Sequence, residues 1–208
     1  DVDRLQHLEG SMFESLSDLP VERRLRRRIH PLPSVLALIC HGEGSAARYL
    51  LIQRQKPPYM GKWALVGGKW DFGETLTEAV TREVREETGL ETCFEGLRGV
   101  VSERVVPARE GDRGSHFLLF VCQLAVVSGE AREQQEGPLR WFSVEEMEAL
   151  RDREEMILTD YAMVEALGPV EGRPPYLEFD VIAGEVVDRQ VIQRFEEIGG
   201  AGKGVTGA

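Results

Sequence analysis

Apolar positions change their period several times along this chain. Over residues 1–29, Leu5, Leu8, Met12, Phe13 and Leu16 recur at helical spacing until Pro20 interrupts them, which predicts a helical N-terminal extension. From Pro31 the apolar runs become short and continuous. Segments 35–40, 49–53 and 63–66 read as strands, the first two joined by a turn around Gly42 and Gly44. A helical pattern follows over 75–89. Strands are expected again at 97–106 and 117–127, with Gly111-Asp-Arg-Gly114 as their turn, and a short one at 139–142. Ser143 with Glu146 is a capping box that opens a helix to about Leu150, and 156–167 reads as another helix. Beyond Gly168-Pro169 the pattern predicts a strand at 176–182 and an amphipathic helix at 187–198, then a glycine-rich tail over 199–208. Strands interspersed with a few helices imply an α/β fold with a mixed sheet flanked by helices.

The 75–89 helix carries the chemistry. Thr75 and Glu78 form a Thr-x-x-Glu capping box, and Gly89 supplies a left-handed stop. At about 100° per residue, Leu76, Ala79 and Val80 form one apolar stripe, and Glu83, Glu87 and Glu86 continue it one turn later. Glu78 and Arg82 fall on the other side, four apart and in the favourable order for a surface ion pair. Three carboxylates turned toward the protein repel one another and lose hydration, at a cost of several kcal/mol unless a cation is present. A hard divalent ion with oxygen ligands removes that conflict. The bland alternative is an acidic helix end in water.

Residues 68–90 read Gly68, five residues, Glu74, seven residues, Arg82-Glu83-Val84, one residue, Glu86-Glu87, one residue, Gly89-Leu90. This resembles the box of the Nudix hydrolase family at every fixed position, a match whose chance odds are on the order of 10⁻⁷. The surroundings resemble the family over 31–167: a strand ending in Arg54, the run Gly61-Lys-Trp-Ala-Leu-Val-Gly-Gly68, and a strand ending in Trp141-Phe142. The resemblance implies an α/β/α sandwich with a mixed β-sheet, here a domain over 30–169 between an N-terminal helical extension, 1–29, and a C-terminal extension, 170–208. It implies metal-dependent hydrolysis of a diphosphate linkage in a nucleoside diphosphate joined to another moiety, with an ADP-ribose-like substrate favoured. A nucleoside triphosphate pyrophosphohydrolase and a non-catalytic nucleotide-sensing module are the alternatives. Glu83, Glu86, Glu87 and the Gly67 carbonyl would hold Mg²⁺, with Mn²⁺ able to substitute. Glu83 and Glu86 would be catalytic, and the general base stays open among Glu83, Glu86 and a loop residue such as Glu133 or Glu136. Arg54 would meet substrate phosphate, and Glu74 and Arg82 would form a structural pair holding the loop to the helix. Trp63, Tyr59 and Phe117 are candidates for stacking on a base, although core packing is the commoner fate of such side chains.

Composition narrows the partners. A net charge of −11 over 208 residues argues against nucleic-acid binding, so the expected partner is a nucleotide-type small molecule. No apolar run reaches the roughly 20 residues of a membrane span and no signal-peptide pattern opens the chain, so no membrane partner and a cytoplasmic setting are expected. The extensions slightly favour a homodimer. Cys40, Cys93 and Cys122 are isolated, which argues against a zinc site or a disulfide framework, and Cys40 and Cys122, in apolar strand-like runs, read as buried reduced thiols. His7, His30, His41 and His116 show no ligand spacing. The only basic cluster, Arg23 to Arg28, reads as a solvated helix face. Gly202-Lys203 lacks the remaining residues of a phosphate loop.

Overall fold

The computed structural model describes residues 31–42, 44–106, 114–134, 136–168, 176–183 and 190–198. The expected N-terminal helix, the 111–114 turn except Gly114, and the 199–208 tail lie outside them. In chain order the elements are β1 (Leu32–His41), a short 3-10 turn (Gly44–Ala46), β2 (Arg48–Gln53), β3 (Trp63–Lys69), α1 (Leu76–Thr88), β4 (Glu91–Val106), β5 (Ser115–Ser128), β6 (Leu139–Phe142), α2 (Val144–Asp152), α3 (Leu158–Leu167), β7 (Tyr176–Ala183) and β8 (Gln190–Ile198).

These strands form one mixed sheet in the order β6-β2-β3-β1-β5-β4-β7-β8. β1 runs parallel to β5, and β4 parallel to β7; the other pairs are antiparallel. Alternation along β1 feeds two cores. Val35, Ala37 and Ile39 join Ala79, Val80 and Val84 of α1 on one face. Leu38 joins Met147 and Leu150 of α2 and Met163, Val164 and Leu167 of α3 on the other. That is an α/β/α sandwich. Each fully buried side chain such as Leu38, Ile39 or Leu50 contributes roughly 1.5–3 kcal/mol of hydrophobic stabilisation.

Both capping boxes form as their sequences predict. The Thr75 side chain accepts from Glu78 N, the Ser143 side chain accepts from Glu146 N, and each glutamate reaches back to the N-cap backbone. Gly89 closes α1 in the left-handed conformation, φ 72°. The last segment departs from expectation. Residues 187–198, read as an amphipathic helix, contain the strand β8 instead, paired with β7 from Gln190 to Ile198. The hydrogen-bond ladder offered by β7 overrides the local period, and the β-branched Val191 and Ile192 suit a strand. The C-terminal segment therefore extends the sheet at the free edge of β4.

Candidate active site

The glycine pair at the end of β3 brings the loop and α1 together. A Cβ at Gly67, whose φ is 149°, would run into the Val35 carbonyl. A Cβ at Gly68 would lie 2.6 Å from a carboxylate oxygen of Glu83. Backbone and carboxylate meet closely here because neither glycine carries a side chain.

Arg82 staples the loop to the helix. Its Nε and Nη2 donate to Glu74 Oε1 at 2.6 Å and Oε2 at 2.9 Å, a bidentate pair. Nη2 also donates to the Lys69 carbonyl at 3.1 Å. Nη1 reaches Glu83 Oε1 at 2.8 Å and Glu86 Oε2 at 3.3 Å. The Arg82 hydrogen bond holds the Glu74 carboxyl below the usual carboxylate range. The ion pair with Glu78 suggested by spacing is not made; the Glu78 carboxylate is taken by the Thr75 backbone and hydroxyl. The competition is local: the cap bonds fix Glu78, and Glu74 offers Arg82 both oxygens.

The three box glutamates differ. Glu87 is the most enclosed. Its Oε2 accepts from Gly67 N at 3.0 Å, and burial pushes its pKa up to about 8, opposed by that bond and by Arg54 and reinforced by Glu83 and Glu136. Glu83 is also raised, by burial first, against the opposing pull of Arg82. Glu86 stands at the rim, its side chain 58% exposed. So the apolar stripe does continue into Glu83 and Glu87, whereas Glu86 faces open cleft.

The cleft itself has a volume of about 920 Å³. Glu83, Glu86 and Glu87 form its acidic wall, Gly67 and Gly68 its floor, and Arg54, Lys56 and Lys69 supply positive charge. Glu136 lines it too and pairs with Lys56 at 2.7 Å, while Glu133 does not line it. Arg54 follows β2 directly and is braced by donating from Nε to the Pro58 carbonyl at 2.8 Å. Lys56, Lys69, Asp71 and Gln134 also line the cleft and carried no signal in the sequence, since Lys69 is the last residue of β3 and the others sit in loops without a periodic pattern.

The stacking candidates lie elsewhere. Trp63 packs edge-on against Phe142, with ring centroids 4.8 Å apart, and Phe117 and Tyr59 pack against the cores. His116 Nε2 lies 2.9 Å from the Ser102 hydroxyl, and His41 packs on the Trp141 ring. The three cysteines are free, with Cys122 buried, Cys40 half-buried and Cys93 exposed. No helix among the described residues is long and apolar enough to cross a membrane.

Carboxylate and carbonyl oxygens are hard donors, the set that suits Mg²⁺ or Mn²⁺ rather than a softer metal. Two neighbouring acids whose pKa values are both raised, by burial first, are a pairing that a cation would relieve. As they stand, no three His, Cys, Asp or Glu side chains among the described residues converge tightly enough to hold an ion. Glu83 is drawn to Arg82 and Glu87 to the Gly67 N–H.

A NUDIX domain profile matches residues 30–167. An ADP-ribose pyrophosphatase of Methanocaldococcus jannaschii is 34% identical over 140 residues, 67% of this chain and 78% of its own length. An 8-oxo-dGDP phosphatase of Homo sapiens is 51% identical over 88 residues, but these are 42% of this chain and only 24% of the human protein. Among solved structures, a MutT protein from Bacillus halodurans aligns with a TM-score of 0.56 at 23% identity, covering 80% of this chain and 97% of that one. A MutT protein from Methanosarcina mazei aligns with a TM-score of 0.51 at 27% identity, covering 66% and 93%.

Proposed function

The chain belongs to the Nudix hydrolase family, and from that premise we propose that it hydrolyses the diphosphate linkage of a nucleoside diphosphate derivative with a divalent metal, Mg²⁺ or Mn²⁺. One observation carries this reading: the three box glutamates share a single cleft with the positive side chains of Arg54, Lys56 and Lys69. A polyanion needs the cations, and a hydrolytic ion needs the acids. Neither wall alone makes a phosphoryl-transfer site.

In this reading Glu83, Glu86, Glu87 and the Gly67 carbonyl would hold the ion. Bound there, it neutralises phosphate charge, polarises the phosphorus and lowers the pKa of the attacking water. Arg54 and Lys56 hold the diphosphate, and Arg82 with Glu74 fixes the loop so that the acidic wall keeps its position. A carboxylate of the wall, Glu83 or Glu86, takes the water's proton as the water oxygen bonds to one phosphorus; Glu136, which also lines the cleft, is the remaining candidate. The anhydride P–O bond breaks, its electron pair leaves with the second phosphate, and a nucleoside monophosphate is one product.

An ADP-ribose-like substrate is favoured by the archaeal relative, which carries that activity in its name. The human relative favours a second reading, an oxidised purine nucleotide. A panel of ADP-ribose, nucleotide sugars, dinucleoside polyphosphates, coenzyme A, nucleoside triphosphates and 8-oxo-dGDP, with and without Mg²⁺, decides between them. The expected result is metal-dependent release of a monophosphate from at least one diphosphate-linked member. Tight nucleotide binding without turnover of any member would replace this reading with that of a sensor module.

A further inference from the structure

Among the described residues that line the cleft, Glu136 is the one carboxylate outside residues 68–90. It lies on the connection between β5 and β6, and its Oε1 pairs with Lys56 Nζ at 2.7 Å. Lys56 lies on the connection between β2 and β3, so the pair joins two loops across one end of the cleft. Lys56 keeps 66% and Glu136 42% of its side-chain surface in solvent. An ion pair that exposed is weak, and either partner can exchange it for another.

The two partners are not equally fixed. Arg132 N donates to the Thr88 carbonyl at 2.9 Å, which fastens one end of the Glu136 loop to the end of α1. Gln53 N donates to the Pro138 carbonyl at 2.8 Å, which fastens the other end to β2. A Cβ at Gly137, whose φ is 138°, would run into the Gln53 carbonyl, so backbone packs on backbone directly beside Glu136. Glu136 also acts on the box: it disfavours ionisation of Glu87, whereas Arg54 favours it, so both lie within electrostatic reach of that carboxylate. Lys56, by contrast, carries a compact charge on a flexible four-carbon stem. This end of the cleft therefore pairs an anchored acid with a movable cation.

Chain geometry puts the pair next to the diphosphate. Two residues span at most about 7 Å, so Lys56 follows closely on Arg54, whose guanidinium is braced by the Pro58 carbonyl. A group that lies beyond the diphosphate on this side meets Lys56 and Glu136 together. A phosphate bound to Lys56 Nζ would stand beside the Glu136 carboxylate, and like charges side by side are costly. A neutral group bearing hydroxyls meets no such conflict, because its O–H donates to the carboxylate and its oxygen accepts from the ammonium.

We propose that Glu136, with Lys56 held beside it, is a specificity-determining residue of this cleft: beyond the diphosphate it admits a neutral, hydroxyl-bearing group such as a sugar and repels a further phosphate. The inference deepens the reading of the cleft as a site for nucleoside diphosphate derivatives and rests on it. Selection by a built-in repulsion needs no extra attraction for the favoured group. It acts on binding, before any bond changes, and so is separate from proton transfer.

Calorimetric titration of the intact protein with Mg²⁺ tests this with two uncleavable probes. One is ADP-ribose with a methylene group bridging its two phosphorus atoms; the other is ATP with methylene groups at both bridges. Neither can be hydrolysed there, so the result is independent of turnover. The quantity read is the ratio of the two affinities. Glu136→Gln keeps the size of the side chain and removes its charge, and should move the ratio ~10-fold toward the ATP probe. Lys56→Gln removes the cation and leaves the acid, and should move the ratio at least ~3-fold the other way. Both side chains are exposed enough for either variant to fold. An unchanged ratio in Glu136→Gln, or an equal change for both probes, would overturn the proposal and leave the reading of the cleft standing. Failure of both probes to bind the wild-type protein would overturn that reading, and the proposal with it.

Discussion

Glu87 is the residue at which stability and function most clearly oppose each other. Its carboxyl is enclosed, pushed up to about 8, and held by a single backbone N–H from Gly67. Glutamine keeps an oxygen to accept that N–H and removes the buried charge. The metal-free Glu87→Gln variant is therefore expected to melt at or above the wild-type temperature at pH 8, while turnover falls by two or more orders of magnitude. The added stabilisation by Mg²⁺ should largely vanish as well. Thermal melts with and without Mg²⁺, read beside the rate, check this; near-normal turnover in the variant would remove Glu87 from the metal site. The spacing of the three glutamates made this residue legible in the sequence, because a helical wheel turns it inward. Glu103 and Asp160 were not legible in the same way. A lone acid gives no periodic signal, and only the packing of α3 across the sheet shows that Asp160 meets β3 and lies within electrostatic reach of Glu103 on β4.

At the scale of the element, the loop between β3 and α1 behaves as one piece because Arg82 ties it by four hydrogen bonds to three groups, the Glu74 and Glu83 carboxylates and the Lys69 carbonyl. The planar guanidinium makes this possible: a lysine has one nitrogen and cannot serve both Glu74 oxygens while reaching Lys69 and Glu83. Arg82→Lys keeps the charge and loses the fork. The acidic wall should then drift on the scale of an ångström, lowering kcat by between ~10- and ~100-fold with a smaller change in KM. Steady-state kinetics with a melting curve separate this from unfolding, and an unchanged kcat would show that the staple does not hold the wall. Elements with both an amphipathic period and explicit caps, such as α1 and α2, read directly from sequence. β8 did not, because its residues satisfy a helical period and only the partner strand β7 decides between the two.

For the whole molecule, the buried acids set an unusual dependence on pH. Glu83, Glu87, Glu103 and Asp160 all have folded-state pKa values raised by burial. For such a group the folded chain holds its proton more tightly than the unfolded chain. The stabilisation is complete below the unfolded pKa and is lost as pH rises through the folded one. For Asp160 the window runs from about 4 to about 7, and the shift corresponds to on the order of 4 kcal/mol. For Glu87 the window reaches about 8. Glu74 has the opposite sign: Arg82 lowers its pKa, so its contribution is present above the unfolded value and is lost as pH falls through the folded one. Together these predict that metal-free protein loses stability as pH rises from about 4 toward 8.5, with a separate decline in acid. Melting midpoints across that range measure it. Asp160→Asn should flatten the segment between about pH 4 and 7, and Glu87→Gln the segment between about 4.5 and 8. Mg²⁺ should raise the midpoint most at the alkaline end, where it no longer competes with a proton on Glu87. A melting midpoint that rises steadily from pH 5 to 8.5 without metal would show that these acids are hydrated rather than enclosed.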